Sequence, residues 1–556
     1  MRKKYAIGID FGSLSGRAVV ADLSDGRLAG QSVMNYPHGV MDKALPDGTP
    51  LGKDWALQHP QDYLDVLYSV VPAAVKESGV DPADIVGIGV DFTACTVLPV
   101  TGDGTPLCFL PGYAANPHAY VKLWKHHAAQ PEADELNRIA GARGEKFLAR
   151  YGGKISSEWA VPKVMQLVRE APDVYDAMAA FMEAADWVVL QMTNVWTRNT
   201  CTAGYKCLWN KRDGYPSDDF FAALDPKLRH FTSEKLKGAI LPVGRRAGYL
   251  TPEAARRLGL TERVAVAVGN VDAHVALPAV GVTGPGKMLM IMGTSTCDIL
   301  LGDSERPVPG ICGVVEDGVI EGYFGYESGQ SCVGDHFDWF VRNCVPAAYA
   351  AEAEARGVSI HTLLSEKAAG LTIGGSGLVA LDWWNGNRSV LVDAELSGLM
   401  LGMTLSTRPE EMYRALIEAT AFGKKVILDA YEEAGVPIRS LYACGGISHK
   451  NELMMQIYAD VTGREIGVSA CDQTPALGAA MFGAVAAGAE AGGFGSIREA
   501  AALGRIGRTY RPVQENVAAY AKLYDEYKIL HDYFGRESDM MKRLRALREA
   551  RGCWKS

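Results

Sequence analysis

The chain has no paired-cysteine motif, although its 556 residues include 11 cysteines. No CxxC pair occurs, and Cys95, Cys297 and Cys444 lie inside apolar runs. Scattered cysteines of this kind are typical of reduced, buried thiols, so neither a disulfide framework nor a cysteine-rich zinc site is expected. This cysteine usage favours a cytoplasmic protein.

The sequence also has few long apolar runs and no excess of positive charge. The apolar run that follows the basic residues 2–4 is interrupted at Asp10, which does not fit a signal peptide. The longest apolar segment, residues 476–489, is rich in Gly and Ala and too short to span a bilayer. The net charge of -9 gives no electrostatic footprint for nucleic acid. We therefore expect small-molecule partners, and neither a membrane nor a nucleic acid.

The length predicts two large domains and an appendage, because 556 residues exceed what one core can serve. Strand, turn and strand segments beside amphipathic helices, such as one predicted over residues 54–79, indicate an α/β protein. The predicted domains cover residues 1–265 and 266–495. Residues 496–556 form a helical C-terminal extension, whose charged amphipathic part, residues 513–552, is expected to pack on the second domain.

A strand–turn–strand unit opens the chain. Strands are predicted over residues 5–10 and 17–22, joined by a tight turn that contains Gly12 and Ser13. The backbone N–H groups of such a turn can approach an anion closely, and a carboxylate at its edge, Asp10, suits Mg²⁺ better than phosphate. An ordinary hairpin with a capping aspartate explains the same residues.

A similar unit recurs half a chain later, over residues 287–301, with Gly293 and Thr294 in the turn. Two such hairpins suggest a duplicated domain, with one phosphate-facing loop in each half and a cleft between them. A third segment, residues 440–444, is a strand that ends in Gly445-Gly446. A helix predicted from about Asn451 follows, an arrangement that lets a ligand lie against the backbone, although turns use diglycines often.

Several polar residues fall where ligands bind in α/β proteins, and each also has a structural explanation. Asp91 and Thr93 follow the strand at residues 85–90, at the carboxyl end of the sheet, where strand-end capping is the alternative. Lys206 lies among apolar residues and either extends to solvent or reaches a ligand, and the residues alone favour solvent. Asp272 follows a Gly-Asn turn and is a helix cap, a catalytic base, or both.

Together these motifs resemble the FGGY carbohydrate kinases of the actin-like ATPase superfamily. Residues 398–403 (GLMLGM), followed after seven residues by 411–418 (EMYRALIE), fit the C-terminal signature of that family. The order and spacing of the motifs extend over about residues 5–490. The resemblance implies an α/β fold of two ribonuclease-H-like domains around a central cleft, with sugar deep in the cleft and ATP on the second domain.

Within the family, the chain resembles most the members that phosphorylate ribulose. Residues 89–93, 204–206, 269–274 and 327–330 look like the sugar-site segments of that subgroup. Around Ala94 the chain has small residues where glycerol kinases have an Arg-Glu pair, which leaves room for a longer ketose. The implied reaction is ATP-dependent phosphorylation of a ketopentose, L-ribulose to L-ribulose 5-phosphate in L-arabinose catabolism. Another ketose or polyol (D-ribulose, xylulose, ribitol) is the alternative, and a non-metabolic actin-like ATPase is a distant one.

The resemblance also implies a role for each site residue. Asp272 is the base that takes a proton from the sugar, and Asp10 holds Mg²⁺ through water. The residues expected to contact the sugar are Asp272, Lys206, Glu327, Asp91, Thr93 and the backbone of Ala94. The residues expected to contact ATP are Gly12, Ser13, Gly293, Thr294, Gly445, Gly446 and Asn451. The expected partners are thus a sugar, ATP and Mg²⁺, while self-association into a homo-oligomer stays open.

Overall fold

The computed structural model describes residues 3–550. The fold is organised around two seven-stranded sheets with the same core topology. The first sheet runs, in spatial order, Arg246–Tyr249, Ala265–Ala267, Ile85–Phe92, Tyr5–Phe11, Ser15–Asp22 and Leu28–Asn35, with Asn270–Val271 paired to Ile85–Phe92. The second runs Gly313–Glu316, Phe324–Gln330, Thr296–Gly302, Lys287–Met292, Ser440–Cys444, Ile466–Ser469 and Ile506–Tyr510.

Each sheet is built around one antiparallel hairpin and one parallel neighbour. Tyr5–Phe11 pairs antiparallel with Ser15–Asp22 and parallel with Ile85–Phe92. In the second sheet Lys287–Met292 pairs antiparallel with Thr296–Gly302 and parallel with the strand that ends at Cys444. The shared order and directions confirm the two ribonuclease-H-like halves and the recurrence seen in the sequence.

Two helices of small residues lie between the sheets, Asp272–Ala279 and Thr474–Ala487. The second packs directly on the first sheet: a Cβ atom at Gly8 would lie 1.7 Å from the carbonyl oxygen of Ala476, and one at Gly89 would clash similarly. Glycine on the sheet and Ala/Gly on the helix therefore permit a backbone-to-backbone approach that any side chain would prevent. A Cβ atom at Gly478 would likewise lie 1.9 Å from the carbonyl oxygen of Val275, so the same helix also packs closely on the first turn of the helix that begins at Asp272.

Helices surround both large sheets, and the remaining strands form smaller sheets. The other α-helices of the first half are Pro60–Ser78, Gln130–Arg143, Ala160–Glu170, Pro172–Ala177, Ala184–Thr193, Thr200–Cys207, Asp218–Leu224, Phe231–Lys235 and Pro252–Leu258. Those of the second half are Gly334–Cys344, Ala347–Arg356, Ile360–Ala369, Pro409–Glu433, Gly446–Lys450, Glu452–Thr462, Ile497–Ala500, Gln514–Asp532 and Met540–Ala550. The smaller strands are Leu57–Gln58, Val97–Val100, Val121–Lys122, Ala180–Glu183, Thr197–Asn199, Ala239–Leu241, Val379–Leu381 and Leu399–Leu401.

The predicted helix over residues 54–79 is wrong at its start. The helix begins at Pro60, because the His59 side chain caps its first turn, and Leu57–Gln58 is a strand. Proline is favoured at a first helical position and disfavours helix before it. The predicted division into domains at residues 265 and 495 stays a prediction; Asn270–Val271 still pairs with the first sheet.

The C-terminal extension packs on the second half through buried tyrosines. The Tyr520 hydroxyl contacts Arg414 and Glu418, and the Tyr527 hydroxyl donates to Asp382. These contacts place the predicted helical segment against the second sheet's half of the fold, as expected, while residues 551–552 lie outside the described residues. Among residues 3–550, no helix is both long and apolar enough to cross a membrane.

Candidate active site

The first hairpin loop is held in place from two sides. The Gly12 N–H donates to the Ser15 carbonyl at 3.0 Å, which closes the turn. The Ser13 hydroxyl accepts from the Trp124 indole at 2.9 Å, and the Ser13 carbonyl accepts from the Gln58 amide at 2.8 Å. These contacts preorganise the loop that the sequence assigns to phosphate.

The second hairpin loop has a matching construction. The Gly293 N–H donates to the Ser295 carbonyl at 3.0 Å. The Thr294 carbonyl accepts from the N–H groups of Val333 and Gly334, each at 2.9 Å, so the loop is tied to the start of helix Gly334–Cys344. Each half of the fold thus presents one fixed Gly/hydroxyl loop.

The diglycine segment directly follows the strand Ser440–Cys444 of the second sheet, as predicted. Gly445 has φ +94°, and a Cβ atom there would lie 2.5 Å from the Met292 carbonyl oxygen, so glycine is required. A Cβ atom at Gly446 would meet no neighbour within 4 Å, which leaves open space beside it. The Asn451 side chain accepts from the Met454 N–H and caps helix Glu452–Thr462, so this residue also has a structural role.

An acidic pair lies where the two parallel strands of the first sheet end. Asp10 and Asp91 are direct neighbours in the register, and both are buried. The Arg17 Nε lies 3.5 Å from an oxygen of Asp10, and the same guanidinium donates to Gln473, next to the helix between the sheets. Burial, and then the adjacent charge of Asp10, raise the pKa of Asp91 well above its usual range. Burial also raises the pKa of Asp10, although Arg17 opposes it.

Asp272 is the first residue of the helix that passes between the sheets. One of its carboxyl oxygens accepts from the Ala273 N–H at 2.7 Å, which fixes the orientation of the group. Burial, reinforced by the negative charge of Asp10, raises the pKa of Asp272 to about 7. A carboxyl group with this pKa is poised to accept a proton near neutral pH.

Lys206 and Glu327 form a buried ion pair that joins the two halves. The Lys206 ammonium lies 2.8 Å from both oxygens of Glu327, and its side chain is only 4% exposed. His274 approaches Glu327 at 3.4 Å. Burial opposes both charges, yet each holds the other ionised: Lys206 keeps the pKa of Glu327 well below its usual range. The solvent-directed conformation that the residues alone favoured for Lys206 is therefore wrong. The sequence does not reveal the ion pair, because Glu327 lies 121 residues away from Lys206.

The Thr93–Cys95 segment is fixed beside that pair. The Thr93 N–H donates to the Phe11 carbonyl at 3.2 Å, and the hydroxyls of Thr93 and Thr96 are 2.8 Å apart. The buried Lys163 ammonium donates to the carbonyl of Cys95, which has φ +55°, and to that of Leu123. The backbone at Ala94 is thus held rigidly.

Sequence reasoning missed several of these residues. Arg17, Lys163, Trp124 and Gln58 each fix a predicted site segment by a long-range contact. A lysine inside an amphipathic helix, as at position 163, looks like a surface residue until its partners are known. Arg17 offered the best local signal, since it is a cation just beyond a predicted phosphate turn. Whether the predicted residues bind sugar and nucleotide stays a prediction.

Comparisons with known proteins agree with this geometry. Residues 5–279 match the N-terminal domain of the FGGY family of carbohydrate kinases, and residues 288–487 match its C-terminal domain. The ribulokinase of Halalkalibacterium halodurans is 60% identical over 552 residues, which cover 99% of this chain and 98% of that protein. The ribulokinase of Anoxybacillus flavithermus is 59% identical over 553 residues, with the same coverage of both chains.

A solved structure shares the fold. The xylulose kinase from Rhodospirillum rubrum superposes with a TM-score of 0.78 at 22% sequence identity, over 95% of this chain and 98% of that one. Similarity at this identity supports the two-domain architecture but does not identify the substrate.

Proposed function

Because the chain belongs to the FGGY family of carbohydrate kinases, we propose that it transfers the γ-phosphoryl group of ATP to L-ribulose, giving L-ribulose 5-phosphate. Full-length relatives at 59–60% identity bear the name ribulokinase, which supports ribulose as the acceptor. The chain is accordingly a sugar kinase, with ATP and a sugar as its small-molecule partners. A role in L-arabinose catabolism in the cytoplasm follows from this substrate.

The observation that carries the chemistry is the position of Asp272. The charges of Asp10, Glu327 and Lys206 all act on its carboxyl group, so this group is close to both the acidic pair and the buried ion pair. A sugar hydroxyl is a weak nucleophile at neutral pH and needs a base within hydrogen-bond reach. We assign that proton transfer to Asp272, whose orientation is fixed by the Ala273 N–H.

We assign sugar binding to Lys206, Glu327 and the backbone of Ala94. Glu327 engages two of the three N–H donors of Lys206, so the ion pair keeps one ammonium donor and the remaining lone pairs of the carboxylate for polar ligands, and a polyhydroxylated sugar offers partners for both. Charge-assisted hydrogen bonds of this kind orient a hydroxyl strongly. Thr93 is already bonded to the Thr96 hydroxyl, so its contribution is to shape the loop beside Ala94.

We assign ATP to the two hairpin loops and the diglycine. In this proposal the phosphates are bordered by Gly12, Ser13, Gly293 and Thr294. The adenosine is bordered by Gly445, Gly446 and Asn451. Phosphoryl transfer leaves little covalent chemistry to the protein, so fixed loops contribute by positioning. The cross-links to Trp124 and Gln58 fit that role, because they hold the first loop without ligand.

The acidic residues fit a magnesium ion. Buried carboxylate oxygens are the hard ligands that Mg²⁺ prefers, and Asp10 lies at the edge of the first loop as predicted. When bound, Mg²⁺ would neutralise charge on the phosphates of ATP. Arg17, which contacts Asp10, restricts the position of this carboxyl group.

A pH dependence follows from the base. The carboxyl of Asp272 must be deprotonated to act, and its pKa in the free protein is raised to about 7 by burial and by Asp10. We expect kcat/KM for the sugar to fall tenfold per pH unit at acid pH and to reach a plateau above an apparent pKa at or below 7, since bound cation lowers it. A profile measured between pH 5 and 9 in a coupled ADP assay checks this, and a flat acid limb would contradict it.

The choice of sugar is tested by a panel. ADP formation is measured with L-ribulose, D-ribulose, xylulose and ribitol, and without sugar. We expect the highest kcat/KM with L-ribulose, because of the ribulokinase relatives. A higher value with another ketose or polyol would reassign the substrate within the family. ATP turnover that no sugar stimulates would instead favour a non-metabolic ATPase.

A further inference from the structure

Asp91 and Asp10 are two carboxyl groups placed side by side by the strand register. They are paired residues on the parallel strands Ile85–Phe92 and Tyr5–Phe11, so their side chains leave the same face at the same level. Asp91 is 0% exposed. Each of these two carboxyl groups affects the pKa of the other.

Asp91 has no donor to satisfy it. Among residues 3–550, no amide, hydroxyl or cationic group donates a hydrogen bond to either of its oxygens. A buried polar group normally has such a partner, and a buried carboxylate costs free energy without one. The unsatisfied oxygens therefore point to a group that binds there during function.

Contacts between the two strand ends keep the side chains of Asp91 and Asp10 close together. The rings of Phe11 and Phe92, the next residues on both strands, are stacked with centroids 4.6 Å apart. The Thr93 N–H then donates to the Phe11 carbonyl. The two strand ends are thus locked together, and the unfavourable proximity of the carboxyl groups is built into the fold.

The local charge balance indicates a divalent cation. Asp10, Asp91 and Asp272 act on one another, and Arg17 is the cation beside them, at 3.5 Å from Asp10. Lys206 is engaged by Glu327. These three carboxyl groups outnumber the guanidinium beside them, so a divalent cation would favour their ionised forms, and they offer only oxygen atoms as ligands, which suits Mg²⁺ or Mn²⁺.

We propose that Asp91 holds the divalent cation of the nucleotide together with Asp10, and does not bind the sugar. This inference rests on the proposed kinase function and refines it, since the sequence assigned the metal to Asp10 alone and Asp91 to the sugar. Asp91 and Asp10 would then both supply carboxylate oxygens to the cation.

The test measures Mn²⁺ binding directly. Free Mn²⁺ is titrated by electron paramagnetic resonance in the presence of a non-hydrolysable ATP analogue, for the parent protein and for Asp91→Asn. We expect Asp91→Asn to weaken Mn²⁺ binding by about 10- to 100-fold, the range found when groups that support a metal are removed. Asp382→Asn is the matched control, because Asp382 is a buried carboxyl bonded to Gln330 and Tyr527, away from Asp10. It should leave Mn²⁺ affinity unchanged.

A second titration separates metal from sugar. Calorimetry should give the same Kd for L-ribulose with Asp91→Asn as with the parent. An unchanged Mn²⁺ affinity, with or without a weaker sugar Kd, would overturn the proposal. Asp91→Asn replaces a buried carboxyl group that has no donor by an amide that can donate to Asp10, so its Tm without metal should equal or exceed that of the parent.

A measurement on the unmodified chain covers the case in which the variant does not fold. In crystals grown with Mn²⁺ and the ATP analogue, the anomalous peak should lie beside Asp91 and Asp10, and a peak remote from Asp91 would overturn the proposal. The kinase assignment fails separately, if the parent protein shows no sugar-stimulated ATP turnover. Sugar-stimulated turnover with a metal that ignores Asp91 refutes only the present inference.

Discussion

Asp272→Asn is expected to lower kcat for sugar phosphorylation by about 10³-fold, within the usual range for loss of a general base. Asparagine keeps the size of the side chain, and its carbonyl oxygen can still accept from the Ala273 N–H. It cannot take a proton from the sugar hydroxyl. Steady-state kinetics with saturating ATP and L-ribulose measure the change.

The controls for this variant are binding measurements. Titration calorimetry should show Kd values for ATP and L-ribulose within a few-fold of the parent, because Asp272 is needed for the proton transfer. The acid limb of the pH profile should vanish from any residual activity. A kcat within tenfold of the parent would remove Asp272 as the base.

Lys206→Met should weaken sugar binding and also destabilise the fold. The change removes a charged donor, and hydrogen bonds to charged groups contribute about 1.5–3 kcal/mol, so the Kd for L-ribulose should rise roughly 10- to 100-fold. It also leaves Glu327 buried without its ammonium, and breaking a buried pair in this way costs about 3–5 kcal/mol. The free energy of unfolding must therefore be measured beside the sugar Kd.

Lys424→Met is the matched control. Lys424 forms an ion pair with Asp298 that is likewise fully buried, inside the second half of the fold. Its replacement should lower stability to a similar degree and leave the sugar Kd unchanged. If Lys206→Met lost stability alone, with sugar affinity intact, Lys206 would be a purely structural residue.

The hairpin loops and the diglycine could be predicted because their signals are local. A strand, a Gly/Ser turn and a strand lie within 18 residues at Tyr5–Asp22, and the pattern repeats at Lys287–Gly302. The two helix N-caps in this segment, Gly445 and Asn451, are equally local. The resemblance to FGGY kinases then supplied the order of the parts.

Long-range partners could not be predicted in this way. The burial of Lys206 depends on Glu327, which is brought to it by the second sheet, and sequence spacing contains no record of that contact. The same holds for Lys163, whose ammonium bonds to Cys95 and Leu123. Single buried charges are rare, so propensity favours the exposed alternative until the partner is known.

Asp91 illustrates a different limit. The strand predicted to end at residue 90 extends to Phe92, so Asp91 lies within its last two residues and not after it. Its relation to Asp10 depends on the register between two parallel strands 80 residues apart, and one residue of slip would turn the side chain to the opposite face. The structure therefore places Asp91 beside Asp10, the residue that we propose to hold Mg²⁺.

The most direct test of the account follows both nucleotide and product in one reaction. The purified protein is incubated with Mg²⁺ and ATP, with and without L-ribulose, and ³¹P nuclear magnetic resonance records ADP and any sugar phosphate. We predict that ADP and L-ribulose 5-phosphate accumulate in equal amounts, and that ATP stays intact without sugar. ADP formed with inorganic phosphate alone, or no reaction with L-ribulose, would contradict the account.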